Sequence, residues 1–333
     1  MTRLIQVGLG PLGRVLLADY IDRDQGHLIA VVDPDPKLAG TSLANWVEGA
    51  PEGMKIHSSL EELASGGLLK QADAALVTTF SDLELCMDSF RGLLTSGIDV
   101  VSSCEELLYP WLRHPVLAQE LHERGIRGNS RIVGSGINPG FLMDTLPIMA
   151  SAMCRQIDRV RIERIQDASP RRIPFQRKIG ATLSLDAFEQ KVADGSLRHV
   201  GMGESIHFLA HYLGWEIDRW EETLEPVIAE QTLSCGLGTV QAGDVSGVRQ
   251  VATAWVRDKP KLELLFQAAI GQTNPTDSIR IEGDPGIEMR IEGGVHGDVG
   301  TSAVMLHTLD ALRSAEAGLH TMVTIRPPRW QAH

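Results

Sequence analysis

The chain has 333 residues, 43% of them hydrophobic and 22% charged, which allows a sizeable core and more than one domain and argues against a disordered protein. Its 43 acidic residues against 31 lysines and arginines give a net charge of -12, which disfavours nucleic acid and anionic membranes as partners. A neutral or cationic small molecule is the kind of ligand that this charge favours.

The first predicted elements are a strand, a glycine-rich turn and a helix. The apolar run Leu4–Val7 leads directly into the segment GLGPLG, a G-x-G-x-x-G pattern, and Pro11 stands where a helix begins. In dinucleotide-binding folds such glycines let the backbone approach a pyrophosphate, and helix N–H groups bind its charge. The alternative is a tight turn without a ligand. The residues expected at the cofactor are Gly8, Gly10, Pro11, Leu12 and Gly13.

A second apolar run, His27–Val32, ends at Asp33, about twenty residues beyond the glycines, as the dinucleotide fingerprint requires. The acid at this position accepts hydrogen bonds from the adenosine ribose. A carboxylate there repels a 2′-phosphate, and no arginine follows within the next few residues. We therefore expect NAD as the cofactor, while Lys37 leaves room for NADP.

The alternation of strands and helices continues through the first half of the chain. The next predicted elements are a strand at 74–78, a helix at 82–95 and strands at 98–101 and 131–134. This doubly wound pattern indicates a Rossmann domain, in which ligands bind beyond the carboxyl ends of the strands. Three segments, 78–81, 102–106 and 135–140, should then lie along one crevice. The expected cofactor contacts in the first of these segments are Thr78, Thr79 and Ser81.

Two adjacent acids, Glu105 and Glu106, follow the strand at 98–101. Both Ser102-x-x-Glu105 and Ser103-x-x-Glu106 match a capping box, so a structural role at a helix start is a sufficient explanation of their spacing. A helix has one N-cap, however, so one of the two carboxylates is available to face the crevice. A partly desolvated carboxylate beside a nicotinamide is a candidate general acid and base.

The segment Ser135–Phe141 has a similar form, with a strand end, Asn138-Pro139 and the start of a helix. Asn138 is therefore a candidate to bind the substrate or to orient the nicotinamide amide. A turn that fixes the link between two domains is an equally good reading of Asn138-Pro139.

The second half of the chain alternates charged and apolar residues, which is typical of strands with one solvated face. Strands are predicted at 251–256, 262–269, 278–282 and 287–292. They indicate an α+β domain with an open, mainly antiparallel sheet. A last helix at 299–317 is expected to return to the first domain. The predicted division is therefore a Rossmann domain at 1–145, a substrate and dimerisation domain at 146–297 and a C-terminal helix and tail at 298–333.

No metal site is predicted. The chain has four cysteines, Cys86, Cys104, Cys154 and Cys235. They are far apart without a C-x-x-C pair, so neither zinc nor a disulfide framework is expected, in keeping with a reducing cytoplasm. His207 and His211 lack the glutamate of a zinc protease helix. The basic cluster at 171–178 is expected to be a solvated or subunit-contacting loop. No charged leader or membrane-length apolar run is present, so a cytoplasmic protein without a membrane partner is expected.

Six segments then occur along the chain in this order: GLGPLGR, CEELLYPW, GSGINPGF, HVGMGES, VHGDVGTSA and AGLHTM. With them, nearly the whole chain resembles the family of 2,4-diaminopentanoate dehydrogenases and native amine dehydrogenases, which is related in fold to dihydrodipicolinate reductases. The paired histidines and the Ser-Gly-Thr run of a true dihydrodipicolinate reductase are absent.

The resemblance implies roles for individual residues. The first acid of the CEE segment, Glu105, would be catalytic, which leaves Glu106 as the helix cap, and Asn138 would line the active site. Arg164, Gln166 and His199 match segments of the family's substrate pocket. The family also implies a homodimer, a nicotinamide cofactor and reversible oxidative deamination of an amine, with a small ketone or aldehyde and ammonia as partners in the reverse direction. Two other hypotheses are a reductase of an alcohol, carbonyl or cyclic imine and a non-catalytic dinucleotide sensor.

Overall fold

The structure is a computed structural model that describes residues 2–23, 26–197 and 200–331. The chain divides into two compact units. The first unit combines Met1–Phe141 with His296–His333, and the second is Leu142–Val295. From the sequence, we expected the first boundary between residues 145 and 146 and the second between residues 297 and 298.

Strands and helices alternate in the N-terminal part of the first unit. They are β1 (Thr2–Val7), α1 (Pro11–Asp22), β2 (Gly26–Val32), β3 (Ile56–His57), α2 (Leu60–Ser65), β4 (Ala74–Val77), α3 (Leu83–Thr95), β5 (Asp99–Ser102), α4 (Pro115–Gly128) and β6 (Arg131–Gly134). All residues of β4 and β5 are buried, as expected of parallel strands that are covered on both faces. Proline at the first helical position starts α1 and α4, and the side chain of Asp82 caps α3.

The second unit contains helices and a sheet. Its elements are α5 (Thr145–Ser151), β7 (Gln156–Asp167), α6 (Ile173–Lys178), α7 (Leu185–Ala193), α8 (Met202–Leu213), β8 (Arg219–Ile228), β9 (Leu233–Cys235), β10 (Gly238–Val240), β11 (Val245–Val256), β12 (Lys259–Ala269), β13 (Thr276–Asp284) and β14 (Ile287–Glu292). The chain then returns to the first unit as α9 (Gly297–Leu312) and β15 (Gly318–His320).

Within the described residues, the sheet of the first unit has seven strands in the order β15-β6-β5-β4-β1-β2-β3, all parallel. The strand order reverses between β1 and β4, so the predicted doubly wound Rossmann fold is confirmed. Val7 pairs with both Val32 and Val77, and Ser102 pairs with both Val77 and Gly134. The carboxyl ends of five strands therefore lie along one edge of the sheet.

The last helix was predicted at 299–317, but it ends at Leu312. Residues 313–317 are favourable in a helix, yet Gly318 takes a positive φ of 130° and starts β15, which pairs with β6. A Cβ on Gly125 of α4 would lie only 2.7 Å from Gly318 Cα, so the strand packs closely on that helix. Tertiary pairing therefore decides the end of this helix.

The main sheet of the second unit has six strands among the described residues, in the order β14-β13-β7-β12-β11-β8. Only the pair β7 and β12 is parallel, so the prediction of a mainly antiparallel sheet is confirmed. One face belongs to a hydrophobic core that includes Ile162, Leu264 and Phe266 together with Leu209 of α8. The other face carries charged side chains such as Arg161 and Glu263, and it is only partly buried. Among the described residues, no helix has the length and hydropathy that crossing a bilayer requires.

Candidate cofactor site and active site

The glycine-rich turn connects β1 to α1 at the carboxyl edge of the parallel sheet. A Cβ on Gly8 would lie 2.6 Å from Thr78 O, and Gly8 has a positive φ of 89°. A Cβ on Gly13 would lie 2.2 Å from Gly8 O. Both positions therefore require glycine for packing of the turn against β4 and α1.

Gly10 differs from the other two glycines because a Cβ there would meet no atom within 4 Å. The space beside its Cα is therefore open, at the residue directly before Pro11 and the start of α1. The first N–H groups of a helix have no partner within the helix, and the helix dipole is positive there. The turn thus has the room and the donors that a pyrophosphate needs.

Asp33 follows β2 at the same edge of the sheet. Its Oδ2 accepts a hydrogen bond from the N–H of Leu9 at 2.7 Å, and its Oδ1 accepts one from the N–H of Asp35 at 2.9 Å. A carboxylate offers about four acceptor positions, so this arrangement fixes the carboxylate and still leaves acceptor capacity for a ribose hydroxyl. The structure thus shows how Asp33 is oriented towards the glycine turn.

The three predicted contacts after β4 differ in environment. The Thr78 hydroxyl is buried, donates to Gly8 O at 2.9 Å and accepts from Gln6 Nε2 at 2.8 Å, so it holds the turn together. Thr79 is exposed at the edge of the sheet, and its Oγ1 lies 3.6 Å from Cys86 Sγ. Ser81 contributes its carbonyl oxygen to the N–H of Glu106 at 3.2 Å. Cofactor contacts by Thr79 and Ser81 stay predictions.

Glu105 and Glu106 start a short 3-10 helix, Glu105–Leu108, directly beyond β5. Cys104 is its N-cap, without a hydrogen bond from a side chain, so neither predicted capping box forms. Ser102 Oγ instead accepts from the N–H of Cys104 and donates to the carbonyl of Val77. The expectation that Glu106 caps its own helix was wrong, because Cys104 is the N-cap and the Ser102 hydroxyl binds locally to the backbone before the helix starts.

Glu106 caps a different helix. Its carboxylate is buried, and its Oε2 accepts a hydrogen bond from the N–H of Leu83, the first residue of α3, at 2.9 Å. The same oxygen lies 3.0 Å from His114 Nε2. Glu105, by contrast, is only half-buried. The two adjacent carboxylates therefore have different environments, and Glu106 anchors the turn that carries Glu105.

Asn138 lies in the loop that follows β6, the strand next to β5. It is half-buried, and among the described residues its Nδ2 atom is buried without a hydrogen-bond partner. The loop is held by Thr301 of α9, whose Oγ1 accepts from the N–H of Ile137 at 3.3 Å. A buried donor without a partner costs free energy, and a bound carbonyl group would remove that cost.

Arg164 and Gln166, the predicted pocket residues of the second unit, both donate hydrogen bonds to the last backbone carbonyl of that unit. Arg164 is 1% exposed, donates to Asp277 Oδ2 at 3.0 Å and donates to the carbonyl of Val295 at 2.9 Å. Gln166 Nε2 donates to the same carbonyl at 2.8 Å. These contacts tie β7 to the last residue of the unit, and substrate contacts by Arg164 and Gln166 stay predictions. His199 lies outside the described residues.

Arg171 departs from its predicted role. It was expected in a solvated or subunit-contacting loop, but it is buried, donates to Gln166 Oε1 at 3.1 Å and stacks on the ring of Phe175 at 4.0 Å. The following residues form α6 rather than a loop. The aromatic face and the amide oxygen explain why this one cation of the basic cluster is inside the unit.

Two of the cysteines lie close together, although they are far apart in the sequence. Cys86 and Cys104 are both buried and share a hydrogen bond between their side chains. Cys86 Sγ also lies 3.6 Å from Phe80 O, and Cys104 Sγ lies 3.2 Å from Ser81 O. Each thiol has one proton, so it donates to one of these acceptors at a time. The hydrogen bond from Cys104 lowers the pKa of Cys86 to about 7, while the same hydrogen bond and burial raise the pKa of Cys104.

Across the described parts of the chain, no group of three or more histidine, cysteine, aspartate or glutamate side chains is arranged to hold a metal ion. His207 Nδ1 lies 2.8 Å from Gly203 O, and the His207 ring packs edge-on against Trp220. The His207 ring thus contacts Gly203 and Trp220 of the same unit.

Comparison with known proteins gives a family match. Residues 141–331 match the family model described as the 2,4-diaminopentanoate dehydrogenase C-terminal domain. The chain is 29% identical to a 2,4-diaminopentanoate dehydrogenase of Acetoanaerobium sticklandii, over 98% of this chain and 94% of that protein. It is 27% identical to an amine dehydrogenase of Streptomyces virginiae, over 69% of this chain and 70% of that protein.

A solved structure agrees with these matches at the level of the fold. The amine dehydrogenase of Mycobacterium smegmatis superposes with a TM-score of 0.86 and covers 99% of this chain and 97% of its own. Sequence identity to that protein is 18%, so the likeness concerns the fold. The arrangement of a Rossmann unit with a second, mixed-sheet unit is therefore shared.

Proposed function

The chain belongs to the 2,4-diaminopentanoate dehydrogenase C-terminal domain family, and from this membership we propose that it is an NAD(P)-dependent amine dehydrogenase. It would convert an amine to a ketone or aldehyde and ammonia, and it would run the same reaction in reverse. The names of the two relatives, a 2,4-diaminopentanoate dehydrogenase and an amine dehydrogenase, support this reaction class.

The proposal rests on one observation: two polar side chains lie on the same edge of the parallel sheet as the glycine turn. Glu105 follows β5, and Asn138 follows the neighbouring strand β6 with an Nδ2 that has no hydrogen-bond partner among the described residues. The open space beside Gly10 lies on the same edge. A dinucleotide whose pyrophosphate binds at the turn has its nicotinamide end directed towards β5 and β6.

The residues of the turn fit a nicotinamide dinucleotide. Gly10 would allow the close approach of the pyrophosphate, the N–H groups at the start of α1 would bind its charge, and Asp33 would accept from the adenosine ribose. Asn138 would donate from Nδ2 to a carbonyl oxygen of the nicotinamide amide or of the substrate. When bound, NAD(P) supplies the acceptor for a hydride.

Glu105 would manage the protons. In the oxidative direction it takes a proton from the substrate ammonium, which frees the nitrogen lone pair. It then passes this proton to solvent and becomes a carboxylate again. Its negative charge then stabilises the iminium that remains when hydride leaves the substrate carbon. It next removes a proton from the water that attacks the iminium carbon and gives this proton to the nitrogen of the resulting carbinolamine. The nitrogen leaves as ammonia, while the hydroxyl loses its proton to solvent and becomes the carbonyl of the product.

Glu106 supports this role through the backbone. Its buried carboxylate binds the N–H of Leu83, and its own N–H binds the carbonyl of Ser81. Cys104 adds a third contact to the same segment through its thiol. The residues on both sides of Glu105 are thereby tied to the loop before α3, so Glu105 projects from a fixed turn.

The decisive experiment is the oxidation of NADH and NADPH by the purified protein with a panel of small ketones and aldehydes, with and without ammonium. Turnover that requires ammonium supports amine dehydrogenase chemistry. Turnover that ignores ammonium indicates reduction of a carbonyl or a cyclic imine instead. Binding of the cofactor without turnover on any member of the panel favours a dinucleotide sensor.

The role of Glu105 has its own test. Glu105→Gln keeps the shape of the side chain and removes the charge, so we expect the loss of at least about 100-fold in kcat that is typical of a missing acid–base group. Cofactor affinity, measured by fluorescence titration, should change little. A matched control is Glu61→Gln in α2, an exposed glutamate, which should leave kcat unaltered. Activity of Glu105→Gln near that of the control would remove Glu105 from the mechanism.

We also propose that the protein works as a homodimer that pairs through the open face of the second sheet. Val251 and Leu265 are opposite each other on that face and are only half-buried there. Light scattering coupled to gel filtration should give a dimer mass for the natural chain and a monomer mass for Leu265→Glu. A natural chain that elutes as a monomer would contradict the proposal.

A further inference from the structure

Arg14, the residue directly after the third glycine, is fixed beside the glycine turn. Its Nε donates to the carbonyl of Leu9 at 3.0 Å, and its guanidinium carbon lies 4.6 Å from the ring centre of Trp46. These are its contacts within the described part of the chain, so Nη1 and Nη2 have no hydrogen-bond partner there. The side chain is half-buried and thus positioned with two nitrogen atoms still able to donate.

Trp46 is itself held in place. It ends a short 3-10 helix at Leu43–Asn45, and its Nε1 donates to Thr41 Oγ1 at 2.9 Å. The Thr41 hydroxyl in turn donates to the carbonyl of Leu38 at 2.7 Å. The indole therefore serves as a fixed platform for the guanidinium, an arrangement that leaves the planar edge of an arginine available for a bidentate acceptor.

The Arg14 side chain lies on the adenosine side of the turn. Leu9, whose carbonyl binds Arg14, also donates its N–H to Asp33 at 2.7 Å. Leu9 therefore connects Arg14 to Asp33, the acid that would bind the adenosine ribose. Trp46 comes from the connection between β2 and β3, which is the half of the sheet that binds adenosine in this fold.

The charges around this point decide what could bind. The segment directly after β2 carries Asp33, Asp35 and Lys37, and α1 carries Arg14 beside the glycine turn. Both oxygens of Asp33 already accept a backbone N–H, and Asp35 Oδ1 accepts the N–H of Lys37. These hydrogen bonds offset part of the negative charge, whereas the Arg14 guanidinium is opposed by no ion pair among the described residues.

We propose that Arg14, supported by Trp46, is a subsite for the 2′-phosphate of NADP and that the protein therefore binds NADPH as well as NADH in spite of Asp33. This rests on the proposed dinucleotide site and adds the residue that sets its specificity. A guanidinium binds a phosphate through two parallel N–H donors, and its two free nitrogens match that need. The expectation from the sequence rested on the absence of an arginine after β2, and the structure supplies one from α1.

The test compares the affinities for the two reduced cofactors in the full-length protein, by the change in their fluorescence on binding. Arg14→Gln should raise the Kd for NADPH at least about ten-fold, because it removes the charge and the paired hydrogen bonds of the guanidinium, and should change the Kd for NADH by less than about two-fold. Arg14→Lys, which keeps the charge and loses the planar fork, should fall between. Adenosine 2′,5′-bisphosphate should compete with NADPH in the natural protein, and its inhibition constant should rise in Arg14→Gln.

Arg23→Gln is the matched control, because it removes one positive charge at the opposite end of the same helix. It should leave both Kd values unaltered. Equal weakening of NADH and NADPH in Arg14→Gln would overturn the proposal and assign Arg14 to the turn itself. An unaltered Kd for NADPH, or a natural protein that binds NADH but not NADPH, would also overturn it. Failure to bind either cofactor would instead refute the dinucleotide site on which the proposal rests.

Discussion

Glu106 accepts a hydrogen bond from the backbone N–H of Leu83 at 2.9 Å, across 23 residues of sequence. The bond joins the turn after β5 to the start of α3, and it satisfies an N–H that the helix itself leaves unpaired. A carboxylate at this point also interacts favourably with the positive end of the helix dipole. The second acid of the pair thus has a structural task at the start of α3.

Glu106→Ala should lower the free energy of unfolding by about 1–3 kcal/mol, because it leaves the N–H of Leu83 and the ring of His114 without their buried partner. Glu106→Gln keeps an oxygen for the N–H and should cost less. Urea denaturation of the two variants measures the difference. If Glu106→Ala is as stable as the natural chain, the buried contacts contribute nothing.

The three glycines of the turn should separate stability from binding. Gly13→Ala places a Cβ at 2.2 Å from Gly8 O, so it should destabilise the protein by about 1–3 kcal/mol or more. Gly10→Ala meets no atom within 4 Å and should cost less than about 1 kcal/mol, yet it fills the space proposed for the pyrophosphate. Thermal unfolding and NADH titration measure the two effects. Tight NADH binding by Gly10→Ala would place the pyrophosphate elsewhere.

The buried pair of Arg164 and Asp277 should be costly to break on one side only. The two side chains are 2% and 0% exposed, and burial lowers the pKa of Arg164 to about 10 and raises the pKa of Asp277. Both shifts show that burial disfavours the charged forms of the two side chains. The ion pair between the side chains offsets this cost. Arg164→Met alone should therefore cost about 3–5 kcal/mol, and the double change with Asp277→Leu should cost less than the single one. A double-mutant cycle in urea measures the coupling, and additive effects would contradict it.

Acid should weaken the first unit through Glu120. Hydrogen bonds from Arg91 and Arg124 lower the pKa of Glu120 from 4.5 to about 2. A lowered pKa in the folded state contributes stability above pH 4.5, and that stability is lost as the pH falls from 4.5 to about 2. Glu120→Gln should therefore show a shallower loss of stability over this range than the natural chain. The midpoint of urea unfolding, measured at several pH values, gives the comparison.

The parallel sheet was predictable because its central strands are buried on both faces and read as apolar runs. The glycine pattern and Asp33 added the order of the first three elements. By contrast, β3 has two residues and β15 has three. Segments this short cannot show the alternation of apolar and polar residues that predicts a strand. Their places are set by pairing with β2 and β6.

The position of a residue in the fold was predictable where it comes a few residues after a strand, as Glu105 and Asn138 do, whereas the roles of both residues stay predictions. The partners of Glu106 and the contact between Cys86 and Cys104 were not predictable, because side chains that meet across separate loops have no common spacing. Arg164 lies between these cases. It continues the alternation of Val160 and Ile162 on the core face of β7, so its burial was visible in the period-two pattern, whereas its partner Asp277 was not.

The pairing of β15 with β6 has a consequence for synthesis of the chain. The Rossmann sheet is interrupted after Phe141 by the whole second unit, and the strand that covers the outer side of β6 comes only at Gly318–His320. Until the ribosome has added those residues, the unpaired N–H and C=O groups of β6 form an open edge that can pair with another nascent chain. Premature termination just before Gly318 should therefore give a product prone to aggregation, although it retains every residue of the glycine turn and Glu105.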